Sequence, residues 1–319
     1  MVCDWPIRVK SKDGSLYSVP CGTCPPCRKG RIDDWVFRLQ YEERRSVSAY
    51  FVTLTYDNAH VPITRNGYLT LYRKDPTPPK YISFGDKKMI NPEWQKGYLK
   101  KDIPSFIKRL RKTQRLKSNH IKYYACGEYG TDNFRPHYHL IMFNVDTLVI
   151  PIGDDSKGYK KYHSPSMSKA WPFGKIDIGT VSADSIAYTC KYMHKPGRIP
   201  AHSNDDRLKE FSIMSKGLGD NYLTPQVLKY HSADLSRNYL LQPGAYKKRL
   251  PRFYRERVYS ETQRVMQNRF IIQDQQEKHE KIVSDLHSAY GDDFDVENYL
   301  LEQKKARLRL FWAKVKRRK

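Results

Sequence analysis

The chain has 319 residues, with 58 Lys and Arg against 34 Asp and Glu, a formal net charge of +24. That length buries a core without disulfides and excludes the small cystine-framework folds, while a charge excess of this size points away from small metabolites and toward a polyanionic partner. Twenty-four tyrosines interleaved with the basic residues favour single-stranded nucleic acid, whose bases stack on aromatic faces while Lys and Arg meet the phosphates.

In chain order, the first 30 residues read as irregular, with turn-prone Asp13-Gly14 and Pro25-Pro26 among Cys3, Cys21, Cys24 and Cys27. Ile32 to Val47 reads as a helix, and Ala49 to Tyr56, dense in β-branched and aromatic residues, as a strand ended by Asp57-Asn58. Val61 to Lys96 reads as a loop or excursion. Asp102 is placed to cap a helix whose Ile103, Phe106, Ile107 and Leu110 form an apolar stripe beside an outward basic face. Ile121–Tyr129 and His137–Val145 follow as strands of a hairpin, then Lys175–Val181 as a strand. Ser182 or Asp184 caps a helix from Ser185 to Lys195 that Pro196-Gly197 ends. After residue 200 the pattern thins to polar loops, then a charged helical tail from about Ser260. Past Leu301 that tail holds nine Lys or Arg against one Glu, read as a nucleic-acid tail ahead of a solvated helix face.

Two constellations carry chemistry. His137 and His139 lie two apart in a strand, so both imidazoles leave one face of the sheet, and Glu128 comes within reach if the two strands pair. Two imidazoles and a carboxylate suit a divalent ion with positions left open for substrate, although a His-x-His pair alone reads equally as structural. On the following helix Tyr188, Lys191, Tyr192 and Lys195 share one stripe. A core-aromatic reading of the tyrosines would bury both lysines without partners, which is costly. A nucleophilic reading needs neighbouring cations, because a tyrosine hydroxyl has an ordinary pKa of about 10. The cysteine cluster admits a four-thiolate zinc site, iron–sulfur ligation or free thiols, with zinc ahead, and Cys126 and Cys190 read as small core residues.

Taken together, three ordered blocks resemble the HUH endonucleases, and among them the rolling-circle replication initiators of gokushoviruses and other microviruses. Phe51-Val-Thr-Leu-Thr-Tyr56 is similar to the family's first strand, Arg135-Pro-His-Tyr-His-Leu140 to its metal motif, and Tyr188-Thr-Cys-Lys-Tyr192 to its two-tyrosine motif. The likeness spans roughly residues 49 to 200, and the cysteine element and the helix around Trp35 are also similar to the gokushovirus proteins. It implies Mg²⁺ or Mn²⁺ on His137 and His139, with Glu128 as third ligand. It implies attack on a phosphodiester by one tyrosine to leave a 5′-phosphotyrosine and a free 3′-OH, with Tyr188 and Tyr192 used alternately and Lys191 and Lys195 stabilising charge.

The fold expected is α+β: a central antiparallel sheet flanked by helices over residues 49–200, a cysteine-rich element with its helix over 1–48 that is expected to hold zinc, and a basic, mainly helical extension over 201–319. The expected partner is single-stranded DNA at a phage replication origin. The sequence has no Gly-x-x-x-x-Gly-Lys-Ser/Thr loop, so a host helicase and polymerase are expected as well. With no apolar run long enough to span a membrane and no signal-peptide pattern, the expected location is the cytoplasm of the bacterial host. The alternatives are a relaxase or transposase of the same superfamily, and a non-catalytic zinc-stabilised DNA-binding or packaging protein.

Overall fold

The computed structural model describes residues 3–10, 14, 16–57, 60, 94–115, 120–130, 135–156, 158–192, 203, 209–242 and 246–316. In chain order, β1 (Ile7–Lys10) and β2 (Leu16–Val19) precede α1 (Pro25–Arg45), β3 (Ala49–Tyr56), α2 (Trp94–Thr113), β4 (Lys122–Tyr129) and β5 (Pro136–Phe143). Next come β6 (Ile150–Asp154), β7 (Lys160–His163), α3 (Pro165–Ala170), β8 (Gly174–Thr180), α4 (Ala183–Tyr192) and β9 (Phe211–Met214). The remainder is α5 (Pro225–Ser232), β10 (Tyr239–Gln242), β11 (Tyr246–Arg249), α6 (Arg252–Val258), α7 (Glu261–Tyr290) and α8 (Val296–Lys316). Two compact units result, one of residues 39–219 and one of Met1–Arg38 with Asp220–Arg317.

The 39–219 unit is built on a seven-stranded sheet in the order β6-β7-β8-β3-β5-β4-β9, every pair antiparallel. The expected α+β class with a central antiparallel sheet therefore holds. Alternation along the strands gives the sheet two different faces. Val52, Leu54 and Tyr56 of β3 and Tyr138, Leu140 and Met142 of β5 enter one core with Ile103, Phe106, Ile107 and Leu110 of α2, and with Met167, Ala170 and Trp171 at α3. The other face carries the intervening residues, including Phe51, Thr53, His137 and His139. Cys126 and Cys190 are both buried, as expected of small core residues.

Several boundaries differ from the sequence reading, each for a physical reason. The first α-helix begins at Pro25 rather than Ile32, because proline, lacking an N–H that the first turn would leave unpaired, starts a helix well. Asp102 does not cap α2, which begins eight residues earlier at Trp94. Its carboxylate is buried inside the helix and accepts a hydrogen bond from the Tyr56 hydroxyl, which lies 2.6 Å from that of Tyr138. Burial pushes the Asp102 carboxyl up to about 6, against the hydrogen bond from Tyr56 and the charge of Arg109, both of which favour the anion. Ser182 is the residue that caps α4, its hydroxyl accepting from Ser185 N at 3.1 Å. The expected excursion from Val61 lies outside the described residues as far as residue 93, and Pro196-Gly197 lies outside them too.

Glu42, fully buried near the end of α1, ties that helix into the unit. Its carboxylate meets Arg45 at 2.5 Å and Lys122 of β4 at 3.2 Å, and accepts from Gly219 N at 2.8 Å.

The other unit holds the β1–β2 hairpin, where the sequence suggested irregular chain, and the β10–β11 hairpin with helices α5 to α8. Its core gathers Leu240, Leu250, Tyr254 and Tyr259 around Phe37 and Tyr222. The Arg38 guanidinium lies 4.0 Å from the centre of the Trp35 ring and 3.7 Å from that of Phe253. The helical tail expected from about Ser260 is α7, started by a capping box between Ser260 and Gln263.

Candidate active site

Strand β5 lies between β3 and β4, and this order assembles the site. Across the β4 border Glu128 pairs with His137 and Cys126 with His139. Across the β3 border Thr55 pairs with His137 and Thr53 with His139. The hairpin inferred from the sequence forms, and it brings Glu128, His137 and His139 together. Both Nε2 atoms converge on one carboxylate oxygen: Glu128 Oε1 is 2.8 Å from His137 Nε2 and 3.2 Å from His139 Nε2. Glu128 and His139 are buried, and His137 is partly open.

The donor geometry makes this more than a packed polar cluster. His137 Nδ1 lies 3.1 Å from the carbonyl oxygen of Arg135. A carbonyl only accepts, so Nδ1 carries the proton, and in a neutral ring Nε2 presents a lone pair to the carboxylate. Two electron-rich atoms at 2.8 Å require a cation between or beside them, either a second ring proton or a metal ion. Ligands about 2.1 Å from an octahedral ion sit about 3.0 Å apart when adjacent, which is the spacing found. The three side chains thus fit a divalent ion and leave its remaining positions open. Burial works to raise the Glu128 carboxyl, but the hydrogen bonds and charge of His137 and His139 overcome it and hold the group below the usual carboxylate range.

Two supporting residues escaped the sequence reading. Thr53 Oγ1 lies 3.0 Å from His139 Nδ1 and orients that ring from behind. Phe51 stacks on it, with ring centres 5.5 Å apart and planes inclined by 14°. Both belong to the Phe51–Tyr56 block singled out as a core strand, and its alternation does put Phe51 and Thr53 on the same face. Nothing local says that this face meets His139.

Helix α4 packs against β4 and β5. Ile186 and Cys190 are buried, whereas Tyr188 stays 44% exposed. The Tyr188 ring meets His139 edge-on at 5.4 Å between centres and Phe51 at 6.3 Å. One of the four residues of the expected stripe is therefore placed beside the His–Glu cluster with its polar end accessible. Lys191 is exposed on the same helix. Tyr192 closes the helix, but its side chain, like all of Lys195, lies outside the described residues.

In the other unit, the sulfurs of Cys3, Cys21, Cys24 and Cys27 all come within 4.8 Å of one another. Cys3 and Cys24 Sγ are 3.8 Å apart, and thiolates about 2.3 Å from a tetrahedral zinc lie about 3.8 Å apart. Backbone N–H groups point at the sulfurs: Cys21 N donates to Cys3 Sγ at 3.2 Å and Cys24 N to Cys21 Sγ at 3.3 Å. All six cysteines are free thiols. The donor set fits a metal ion whose identity the geometry leaves open.

The comparisons with known proteins bear on the same segment. The family model for the replication-associated protein ORF2 matches residues 49–197, the stretch that carries β3 through α4. The replication-associated protein ORF2 of Spiroplasma virus 4 is 30% identical over 269 residues, covering 83% of this chain and 74% of that protein. The chain belongs to the replication-associated protein ORF2 family. Replication-associated protein VP4 of Bdellovibrio phage phiMH2K is 26% identical over 258 residues, 77% of this chain and 69% of that one. Replication-associated protein ORF4 of Chlamydia phage 1 is 24% identical over 215 residues, 65% and 46% of the two chains. These relatives agree with the resemblance to microvirus initiators drawn from the motifs. No solved structure matches the chain significantly. The family segment contains the His–Glu cluster and Tyr188, whereas the four-cysteine cluster lies before it. Among the described residues, no helix is long and apolar enough to cross a membrane.

Proposed function

We propose that this family member is a replication initiator that nicks and rejoins single-stranded DNA at a phage origin, with a divalent metal ion and a tyrosine–5′-phosphate intermediate, in the cytoplasm of the bacterial host. The observation that carries this reading is the convergence of His137 Nε2, His139 Nε2 and Glu128 Oε1 directly beside the accessible Tyr188 ring. His137, His139 and Glu128 would hold Mg²⁺ or Mn²⁺. The chemistry such an ion supplies when bound is polarisation of the scissile phosphodiester and neutralisation of its charge.

The chain's own residues do the rest. The Tyr188 phenolate attacks phosphorus, the bond to the 3′ oxygen breaks, and that oxygen takes up a proton in place of the one the phenol lost. A 5′-phosphotyrosine and a 3′-OH result, and the retained phosphoryl ester lets the strand be rejoined by the reverse displacement. Tyr192, one turn along α4, serves as the alternate nucleophile. Lys191 stabilises the phosphate or the phenolate, and Lys195 repeats that role for Tyr192. The 3′-OH primes a host polymerase, and a host helicase opens the duplex.

The test is incubation with labelled single-stranded phage DNA and Mn²⁺, with and without chelator, followed by denaturing electrophoresis and peptide mapping. A metal-dependent covalent band on Tyr188 or Tyr192 is the expected result. Tight DNA binding with no adduct would overturn the nicking reading and favour a binding or packaging role.

A further inference from the structure

The histidine face of the sheet continues past the His–Glu cluster into a groove of about 400 Å³ with no part in the chemistry described above. Its size falls within the roughly 300–1,000 Å³ that holds small ligands. The strand register explains why it is there. Phe51 of β3 pairs with Gly179 of β8, and Gly179 pairs in turn with Lys161 of β7. Thr53 pairs with His139 on one side and with Asp177 on the other. Period-two alternation therefore puts Phe51, Lys161, Asp177 and Gly179 on the face that carries the histidines. Gly179, having no side chain, leaves the floor open. Tyr188 closes one end and Tyr159, 41% exposed, stands at the other.

We infer that this groove seats one nucleobase of the bound single strand, next to the phosphate held at the His–Glu cluster, with Tyr159 and Phe51 as its stacking surfaces. The inference rests on the reading that Tyr188 attacks a phosphodiester, since that puts the strand at the mouth of the groove. Charge then selects which part of the nucleotide enters. In a chain of net charge +24 this groove contains a carboxylate, Asp177, which lies 3.1 Å from Lys175. A carboxylate repels a phosphate but accepts a hydrogen bond from an exocyclic amine, as Asp does from cytosine N4. The base edge therefore faces Asp177, while the backbone runs along Lys161 and the cluster. Thymine, with no exocyclic amine, fits least well.

Gly179 supplies a clean test. Its backbone is not left-handed, and an added Cβ would meet only the carbonyl oxygen of Lys160, at an ordinary 3.7 Å. Gly179→Val should therefore fill the groove while suiting the strand. Tyr159→Ala, at an exposed position, is the second variant should the first not fold by thermal melting. Affinity of the full chain is measured by fluorescence anisotropy in chelator for 12-nucleotide strands of dC, of dT and of abasic residues.

The wild type should bind dC more tightly than dT. Each variant should lose about tenfold on dC, the worth of one stacked base, and less than twofold on the abasic strand. Equal losses on dC and abasic strands, or no loss on either, would overturn the subsite, and equal wild-type affinity for dC and dT would overturn the role of Asp177. Adding Mn²⁺ to the same samples reports separately on nicking. A closed gap between dC and abasic strands without any covalent adduct keeps the groove and removes the nuclease.

Discussion

At the scale of single residues, the site depends on the two imidazoles more than on the charge that surrounds them. His137→Ala or His139→Ala removes a ligand atom from the Glu128 Oε1 centre while the basic residues that meet phosphate stay in place. Either substitution should abolish covalent adduct formation with Mn²⁺ and change the DNA dissociation constant less than threefold in a filter-binding assay. Full adduct formation in either variant would sink the site. The histidine pair was legible because strand periodicity is a local rule, and Glu128 because a short turn-rich link predicts a hairpin. Thr53 and Phe51 were not, because their role requires β3 to lie on the far side of β5, a pairing across about 85 residues that no local pattern encodes.

Asp102 illustrates the same limit on the opposite face. Asp followed by an apolar stripe has the look of a helix cap, and Pro104 just beyond strengthens it. The carboxylate is instead satisfied by Tyr56, a strand residue far away in sequence. Burial, against the hydrogen bond from Tyr56, lifts its carboxyl from the ordinary 3.8 to about 6. The folded state thus takes up this proton at higher pH than the unfolded state. At pH 7 the group is ionised in both states and its burial costs stability, and stability is regained as pH falls through about 6 toward 4. Asp102→Asn should remove that gain, roughly 3 kcal/mol between pH 7 and 4. Urea midpoints of both proteins across this range would show it as a difference that closes at low pH. Parallel curves would mean that Asp102 is not protonated on folding.

At the scale of elements, the long amphipathic segments were legible and the short strands were not. Ile103, Phe106, Ile107 and Leu110 announce α2 through their spacing, and all four are buried. By contrast β6 is exposed along its whole length, so it shows no alternation, and it is a strand only because β7 pairs with it. The β1–β2 hairpin is likewise too short and too exposed to show a pattern.

Glu42 fastens α1 to β4. Burial works against its carboxylate, yet Arg45, the Gly219 N–H and Lys122 hold it below the usual range. Its stabilisation is therefore present at neutral pH and lost as pH falls through the depressed folded value. Glu42→Ala leaves Arg45, Lys122 and a backbone N–H without their shared acceptor and should cost about 3–5 kcal/mol at pH 7, measured by urea unfolding. A loss under 1 kcal/mol would show that water replaces the carboxylate. The four-cysteine element makes a separate prediction. Cys24→Ser should lower bound zinc and the melting temperature together, as expected where metal binding supplies folding free energy. Elemental analysis finding no zinc in the intact protein would exclude that metal from the cluster.

At the scale of the whole molecule, the net charge of +24 is a statement about salt as much as about partner. Every phosphate neutralised by Lys or Arg releases a counterion, so affinity for single strands falls with salt by a slope of about −0.7 per contact. The last turns of the chain concentrate this charge, and a natural experiment is to remove them. Where to cut follows from the structure. Arg307 of α8 meets the buried Asp4 at 2.6 Å, one residue from Cys3, and Arg28 lies over the Phe311 ring. Deletion from Leu301 onward would strand Asp4 and disturb the cysteine cluster, confounding lost charge with lost fold. Ending the chain after Trp312 keeps both contacts and removes Lys314, Lys316, Arg317, Arg318 and Lys319. If those five side chains neutralise phosphates, the slope of log affinity against log salt should flatten by up to about 3.5, with adduct formation at low salt unchanged. An unchanged slope would make the tail a solvated helix face, and the charge that holds DNA would then have to reside on the remaining basic surface.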